Sequence, residues 1–253
     1  MQDSPLYTLD PLNRFTERAD DYVKHRPSYP AEAIDVILTG LAPASQILAA
    51  DIGAGTGIAS RLLAERGVKV IAVEPNAAMR EVAQTHKNVE YRNGSAEATN
   101  LPDASVDLVT AFQAFHWFNP EPTLLEFRRI LKPTGRLAVV WNNFDKDDDF
   151  TLEYSNFIHT ISNNHRSKSR QIAVESLKQT QYFSNYCEYQ CKTYRQELDL
   201  DGLIGRAMSI SYVPREGESH ESLISGLQHL YQQFRDERGF VYIAYQTNVY
   251  ILS

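Results

Sequence analysis

The chain has 253 residues, 43% of them hydrophobic, which is enough to bury one sizeable core; a single domain with elaborations is expected, residues 1–253. A formal net charge of -7 and the absence of a basic stripe argue against nucleic acid as the main partner and point to a small-molecule substrate. Cys187 and Cys191 are too few for a disulfide framework or a four-ligand zinc site. No window approaches the ~18 apolar residues of a membrane span and the N-terminus shows no signal-peptide core, so a soluble cytoplasmic protein is expected.

Residues 1–45 read as an N-terminal cap in which RPSYP, Arg26 to Pro30, introduces a helix over Ala31 to Leu41. From residue 46 to 143, apolar strand-like runs alternate with segments of helical spacing. The strands are Ile47 to Ala50, Val68 to Val73, Val89 to Arg92, Val106 to Ala111 and Leu137 to Trp141, and the helices are Ala59 to Arg66, Ala77 to Thr85 and Thr123 to Leu131. Strands joined through helices predict an α/β fold with a parallel, doubly wound sheet. Residues 144–185 form an insertion opened by DKDDD, Asp145 to Asp149, which lacks the Gly and distal Glu of a calcium loop and reads as a solvated turn. Residues 186–253 hold two further strands, Glu188 to Leu198 and Phe240 to Leu252, separated by helices. The histidines outside residues 113–118 show no ligand spacing, so no metal site is expected.

The chemistry concentrates in ILAADIGAGTGIAS, Ile47 to Ser60. A glycine turn between a strand and a helix lets a ligand approach the backbone closely. Gly53, Gly55 and Gly57 fall as G-x-G-x-G, with Ile58 where the dinucleotide fingerprint G-x-G-x-x-G has its third glycine. Asp51 would place negative charge beside the loop, where it repels a pyrophosphate and attracts a ligand carrying an ammonium and a sulfonium. S-adenosylmethionine (SAM) is therefore favoured over NAD. Glu74, ending VIAVEPN, is placed to accept both ribose hydroxyls of either ligand.

DIGAGTG, VEPNAAM, NGSAEATNLPDASVDLV, QAFHWF and LKPTGRLAVVWN resemble, in order and spacing, the class I SAM-dependent methyltransferases. The likeness is to a small-molecule branch that includes yeast-type trans-aconitate methyltransferases and quinone or biotin-pathway methyltransferases, and it runs from about Phe15 to Asn143. It implies a Rossmann-like sheet of seven strands, mostly parallel, with an antiparallel last strand. It implies that Gly53, Ala54, Gly55 and Gly57 line the methionine part of the cofactor, that Glu74 holds the ribose, and that Pro75 and Met79 flank the adenine with Ser95, Ala96 and Glu97 at its edge. Tyr22 and Arg26 resemble positions that close over the methionine end, where Arg26 would pair with the carboxylate.

Methyl transfer from a sulfonium needs alignment and exclusion of water, and a base only if the acceptor must lose a proton. In QAFHWF, Gln113 is assigned to the cofactor, His116 is the candidate base, and Trp117 and Phe118, with Tyr29 from the N-terminal segment, are assigned to the acceptor. The function expected is methylation of a small molecule, at a carboxylate or hydroxyl slightly ahead of carbon, with S-adenosylhomocysteine (SAH) as the second product. An NAD(P)-dependent oxidoreductase and a non-catalytic SAM-binding partner subunit are the alternatives.

Overall fold

The structure is a computed structural model that describes residues 6–8, 24–162, 167–191, 194–210 and 212–253. Its sheet is built on β1 (Leu48–Ile52), β2 (Lys69–Val73), β3 (Val89–Arg92), β4 (Val106–Phe112) and β5 (Leu131–Phe144), all mutually parallel in the order 3-2-1-4-5. β8 (Val241–Leu252) adds to β5 antiparallel, and β6 (Tyr186–Gln190) and β7 (Tyr194–Leu198) both pair antiparallel with β8. The strand expected at Glu188 to Leu198 is thus two short strands laid end to end on one neighbour. The sheet has eight strands where seven were expected, in seven positions, and β8 alone runs against the rest. Because β6 stops at Gln190, Cys187 is exposed while Cys191, just past it, is buried.

Side-chain alternation along each strand builds a core on both faces. In β5, Leu137 and Val139 join Leu124, Phe127 and Ile130 of α4 (Pro120–Ile130), while Ala138 and Val140 join Ile34 and Ile37 of α1 (Ala31–Leu38) and Leu63 of α2 (Ile58–Glu65). The short α3 (Ala77–Glu81) starts on Asn76, whose side chain accepts the Met79 N–H as an N-cap. In the insertion, Asp148 caps α5 (Asp149–Ile161) in the same way, so the acidic run serves as a helix start. α6 (Ser167–Gln179) lays Ala173 and Leu177 into the α4 core.

α7 (Leu200–Met208) and α8 (Gly217–Phe234) close a third apolar cluster with α5 and the start of β8. Gly205 of α7 is a close approach: a Cβ there would run into the His25 ring. Gln196 donates to the His25 carbonyl at 2.9 Å, Arg26 to the Ser209 carbonyl at 2.7 Å and Asn142 to the Ser28 carbonyl at 3.0 Å. These bonds strap residues 25–29 across the carboxyl ends of β5 and β7. No helix among the described residues is long and apolar enough to cross a membrane.

Candidate active site

The glycine loop sits at the carboxyl end of β1. Gly53 and Ala54 donate their N–H groups to the Val73 carbonyl at 2.9 and 3.2 Å, which ties the loop to β2. At Gly53, φ is 68°, and a Cβ would stand 2.8 Å from the Ala114 Cβ and 3.0 Å from the Phe118 ring, so glycine is required by conformation and by space. Gly57, at φ 76°, starts α2, and the Tyr91 hydroxyl fills the place its Cβ would take.

A cavity of about 690 Å³ opens in front of this loop. It brings together Gly53, Gly55, Glu74, Pro75, Met79, Ser95, Ala96, Glu97, Gln113, Trp117 and Phe118, joined by Tyr7 and Thr8 of a single helical turn. The Glu74 carboxylate accepts the Gly55 N–H at 2.8 Å and the Asn76 N–H at 2.9 Å, one on each oxygen, leaving lone pairs on both for a vicinal diol. Burial pushes its pKa up, and the two amides oppose that shift. Glu97 accepts the Asn119 N–H at 3.0 Å, which pins the start of α4 to the rim.

Three expectations change here. Asp51 does not line the cleft. It is 1% exposed beneath the loop, accepts from the Ser60 and Thr110 hydroxyls at 2.6 and 2.8 Å, and borders a void of about 20 Å³ with Ala54 and Thr56. Burial pushes its pKa up to about 6, the Ser60 and Thr110 hydroxyls oppose that shift, and the Glu74 charge adds to it. Ala54 borders the same void and not the cleft, and Gly57 lines neither. Phe118 faces the large cleft, packed over Gly53, and not the acceptor side. Tyr22 lies outside the described residues.

A second cavity of about 120 Å³ adjoins the first, and Gln113 and Trp117 line both. Gln113 is a non-glycine residue at φ 53°; its Nε2 donates to the Asn142 carbonyl at 2.8 Å, and its Oε1 accepts from Arg170 at 3.2 Å. Arg26 lies in this cavity and not at the glycine loop, together with Tyr29 and His116. The sequence reading missed Arg170 of α6 and Arg206 of α7. Arg206, on the same helical face as Leu203, is 4% exposed, donates to the Tyr245 hydroxyl at 3.0 Å and packs over the Phe144 and Tyr245 rings. A charge at an apolar helical position was the available signal. Arg170 also donates to Asn143 at 2.8 Å, and burial lowers its pKa, with the charges of Arg26 and Arg206 acting in the same direction. Neither Arg170 nor Arg206 forms an ion pair among the described residues.

His116 receives the Trp141 indole N–H on Nδ1 at 3.1 Å. An indole nitrogen only donates, so Nδ1 is the acceptor and the neutral ring carries its proton on Nε2. In that tautomer neither ring nitrogen has a vacant lone pair with which to take up a proton. No group of three or more potential metal ligands occurs among the described residues.

Residues 50–139 match the family model of a methyltransferase domain. Residues 50–139 thus carry a methyltransferase domain. An uncharacterised methyltransferase of Mycobacterium tuberculosis is 44% identical to it over 127 residues, 49% of this chain and 50% of the relative. A methyltransferase-like protein of Schizosaccharomyces pombe is 39% identical over 136 residues, 53% of each. The chain thus matches about half the length of these curated relatives. A solved structure of a candidate type II methyltransferase from Anaeromyxobacter dehalogenans superposes with a TM-score of 0.61 at 26% identity, covering 89% of this chain and 95% of that one. The methyltransferase domain accounts for the first cavity. Gly53 and Gly55 permit close approach, Glu74 fits the ribose, and Pro75 and Met79 give apolar walls for a base, so the residues present fit SAM. Among the described residues, two carboxylates and no Lys or Arg line this cleft, a poor setting for the pyrophosphate of a nicotinamide cofactor.

Proposed function

We propose that the protein is a cytoplasmic enzyme that transfers a methyl group from SAM to a carboxylate of a small organic acid, giving a methyl ester and SAH. The observation that carries this reading is the lining of the second cavity: Arg26, Arg170 and Arg206 with no Asp or Glu among the described residues, at the wall shared with the cofactor cleft. A buried cluster of guanidinium groups asks for an anionic ligand, and guanidinium matches carboxylate geometry in paired hydrogen bonds. An acceptor that uses more than one of them carries an acid group besides the one that reacts.

When bound, SAM supplies a methyl on a sulfonium: the carboxylate oxygen bonds to that carbon as the carbon–sulfur bond breaks, the electron pair stays on sulfur, and no proton moves. The protein's part is positioning. Arg26, Arg170 and Arg206 hold the acid, and Tyr29, His116 and Trp117 wall the site against water. A hydroxyl acceptor would need a base, and the tautomer of His116 does not provide one.

The test is turnover of SAM with a panel of small mono-, di- and tricarboxylic acids beside matched alcohols and phenols, read as ester mass and SAH. The acids should react and the alcohols should not. His116→Ala should keep turnover within about tenfold, and the wild-type rate should be flat through about pH 6.5, where a histidine base would titrate. Exclusive reaction of the alcohols would sink the proposal, and cofactor binding without turnover of any acceptor would favour the non-catalytic subunit.

A further inference from the structure

The two cavities carry opposite charge. The cofactor cleft is lined by Glu74 and Glu97 and by no Lys or Arg, whereas the acceptor cavity is lined by three arginines and by no acid, among the described residues. They meet at Gln113 and Trp117, so any transfer between ligands in the two spaces takes place at that shared wall. Arg170 contacts this wall directly, through its 3.2 Å hydrogen bond to Gln113 Oε1. A sulfonium brought to the wall therefore enters the field of the arginine cluster. Little water reaches the Arg206 guanidinium to weaken that field, because Arg206 is buried.

We infer that the arginine cluster makes cofactor binding depend on the acceptor: an anion in the second cavity turns a site that repels the sulfonium into one that attracts it. This rests on the acid-acceptor reading and deepens it. SAM and SAH share the adenosine and amino-acid portions and differ in the methyl group and the positive charge it places on sulfur, so an anion should tighten SAM selectively. By reciprocity SAM must tighten the anion by the same factor. Transfer removes the charge on sulfur and one charge on the acid, which abolishes the mutual attraction and favours release of both products. Acceptor-assisted capture of SAM and weakened retention of SAH then come from one cluster of side chains.

The test uses methanedisulfonate, a small dianion whose sulfonates are poor nucleophiles, so binding is measured without turnover. Titration calorimetry gives the affinities of SAM and SAH with the anion absent and at saturation, and the anion's own affinity for each complex. SAM should tighten by a factor in the range of roughly 5 to 150, the usual span of coupling between sites, and SAH by less than about twofold. Arg206→Met should reduce the factor for SAM. Arg170→Gln, on a different helix, should do the same and serves if the first variant does not fold. Equal tightening of SAM and SAH would show closure of the site without charge coupling and would overturn the inference while leaving the acid-acceptor reading standing. An anion that binds neither complex would overturn both.

Discussion

The cofactor cleft and the acceptor cavity share a wall and are assembled in opposite ways. Apart from Tyr7 and Thr8, the cleft takes its lining from residues 53 to 119, where each contact follows a strand end or the turn after it. The acceptor cavity gathers residues from Arg26 to Tyr245 off the N-terminal strap, the start of α2, the segment after β4, β5, α6, α7 and β8. A site built from consecutive strand–loop–helix units repeats a local solution wherever the fold recurs. A site built from distant segments depends on how those segments pack, and it can change its chemistry one side chain at a time.

Arg206→Met gives the largest expected effect on this contrast. It keeps the apolar stem against Phe144 and Tyr245 while removing a buried charge, and should lower kcat/KM for an acid acceptor by about 10³-fold, in line with the 2–5 kcal/mol lost when one partner of a buried charge pair is removed. Steady-state kinetics beside SAH calorimetry checks it: an equal loss of SAH affinity would mean that the two cavities are not separable.

Asp51→Asn tests whether the acid under the loop belongs to the fold. A carboxyl whose pKa is raised from 3.8 to about 6 holds its proton more tightly in the folded state than in the unfolded one. The stability this supplies is complete below the unfolded value and is lost as the pH rises through about 6. At pH 7 the ionised form costs about 3 kcal/mol, which an amide able to bond the Ser60 and Thr110 hydroxyls would recover. Urea unfolding should show the variant more stable than the wild type at pH 7, with the gap narrowing toward pH 5, and cofactor affinity changed by less than about threefold. A gap that widens on acidification would contradict the assignment.

The smallest effect belongs to the cleft's own carboxylate. Glu74→Gln keeps an acceptor for one loop amide and loses charge-assisted bonding to a diol, so SAM and SAH should each bind about 1.5–3 kcal/mol more weakly. Unchanged affinity in a folded variant would remove Glu74 from the ribose site.

The same contrast explains what could be read from the chain. The strands from β1 to β4, the helices between them and the side chains of the cleft were legible because apolar period, glycine spacing and a terminal acid are local signals. Asp51 was located correctly in the chain and misjudged in space: the alternation of β1 turns its side chain between α2 and β4, toward Ser60 and Thr110, and away from the ligand. Arg26 was assigned to the cofactor because nothing local says that Gly205, 179 positions later, leaves a notch for His25 that carries the strap to the other cavity. Arg170 and Arg206 sit on helices whose partners are set by tertiary packing, and no spacing in the sequence joins them.

Gln113 holds a backbone conformation that residues other than glycine rarely adopt, at the wall the two cavities share. A glycine there would suit the main chain and delete the amide that links Asn142 to Arg170. At this position selection for robustness and selection for turnover pull in opposite directions, so a stabilised version of this protein obtained by relaxing every strained residue would give up the junction that couples its two halves.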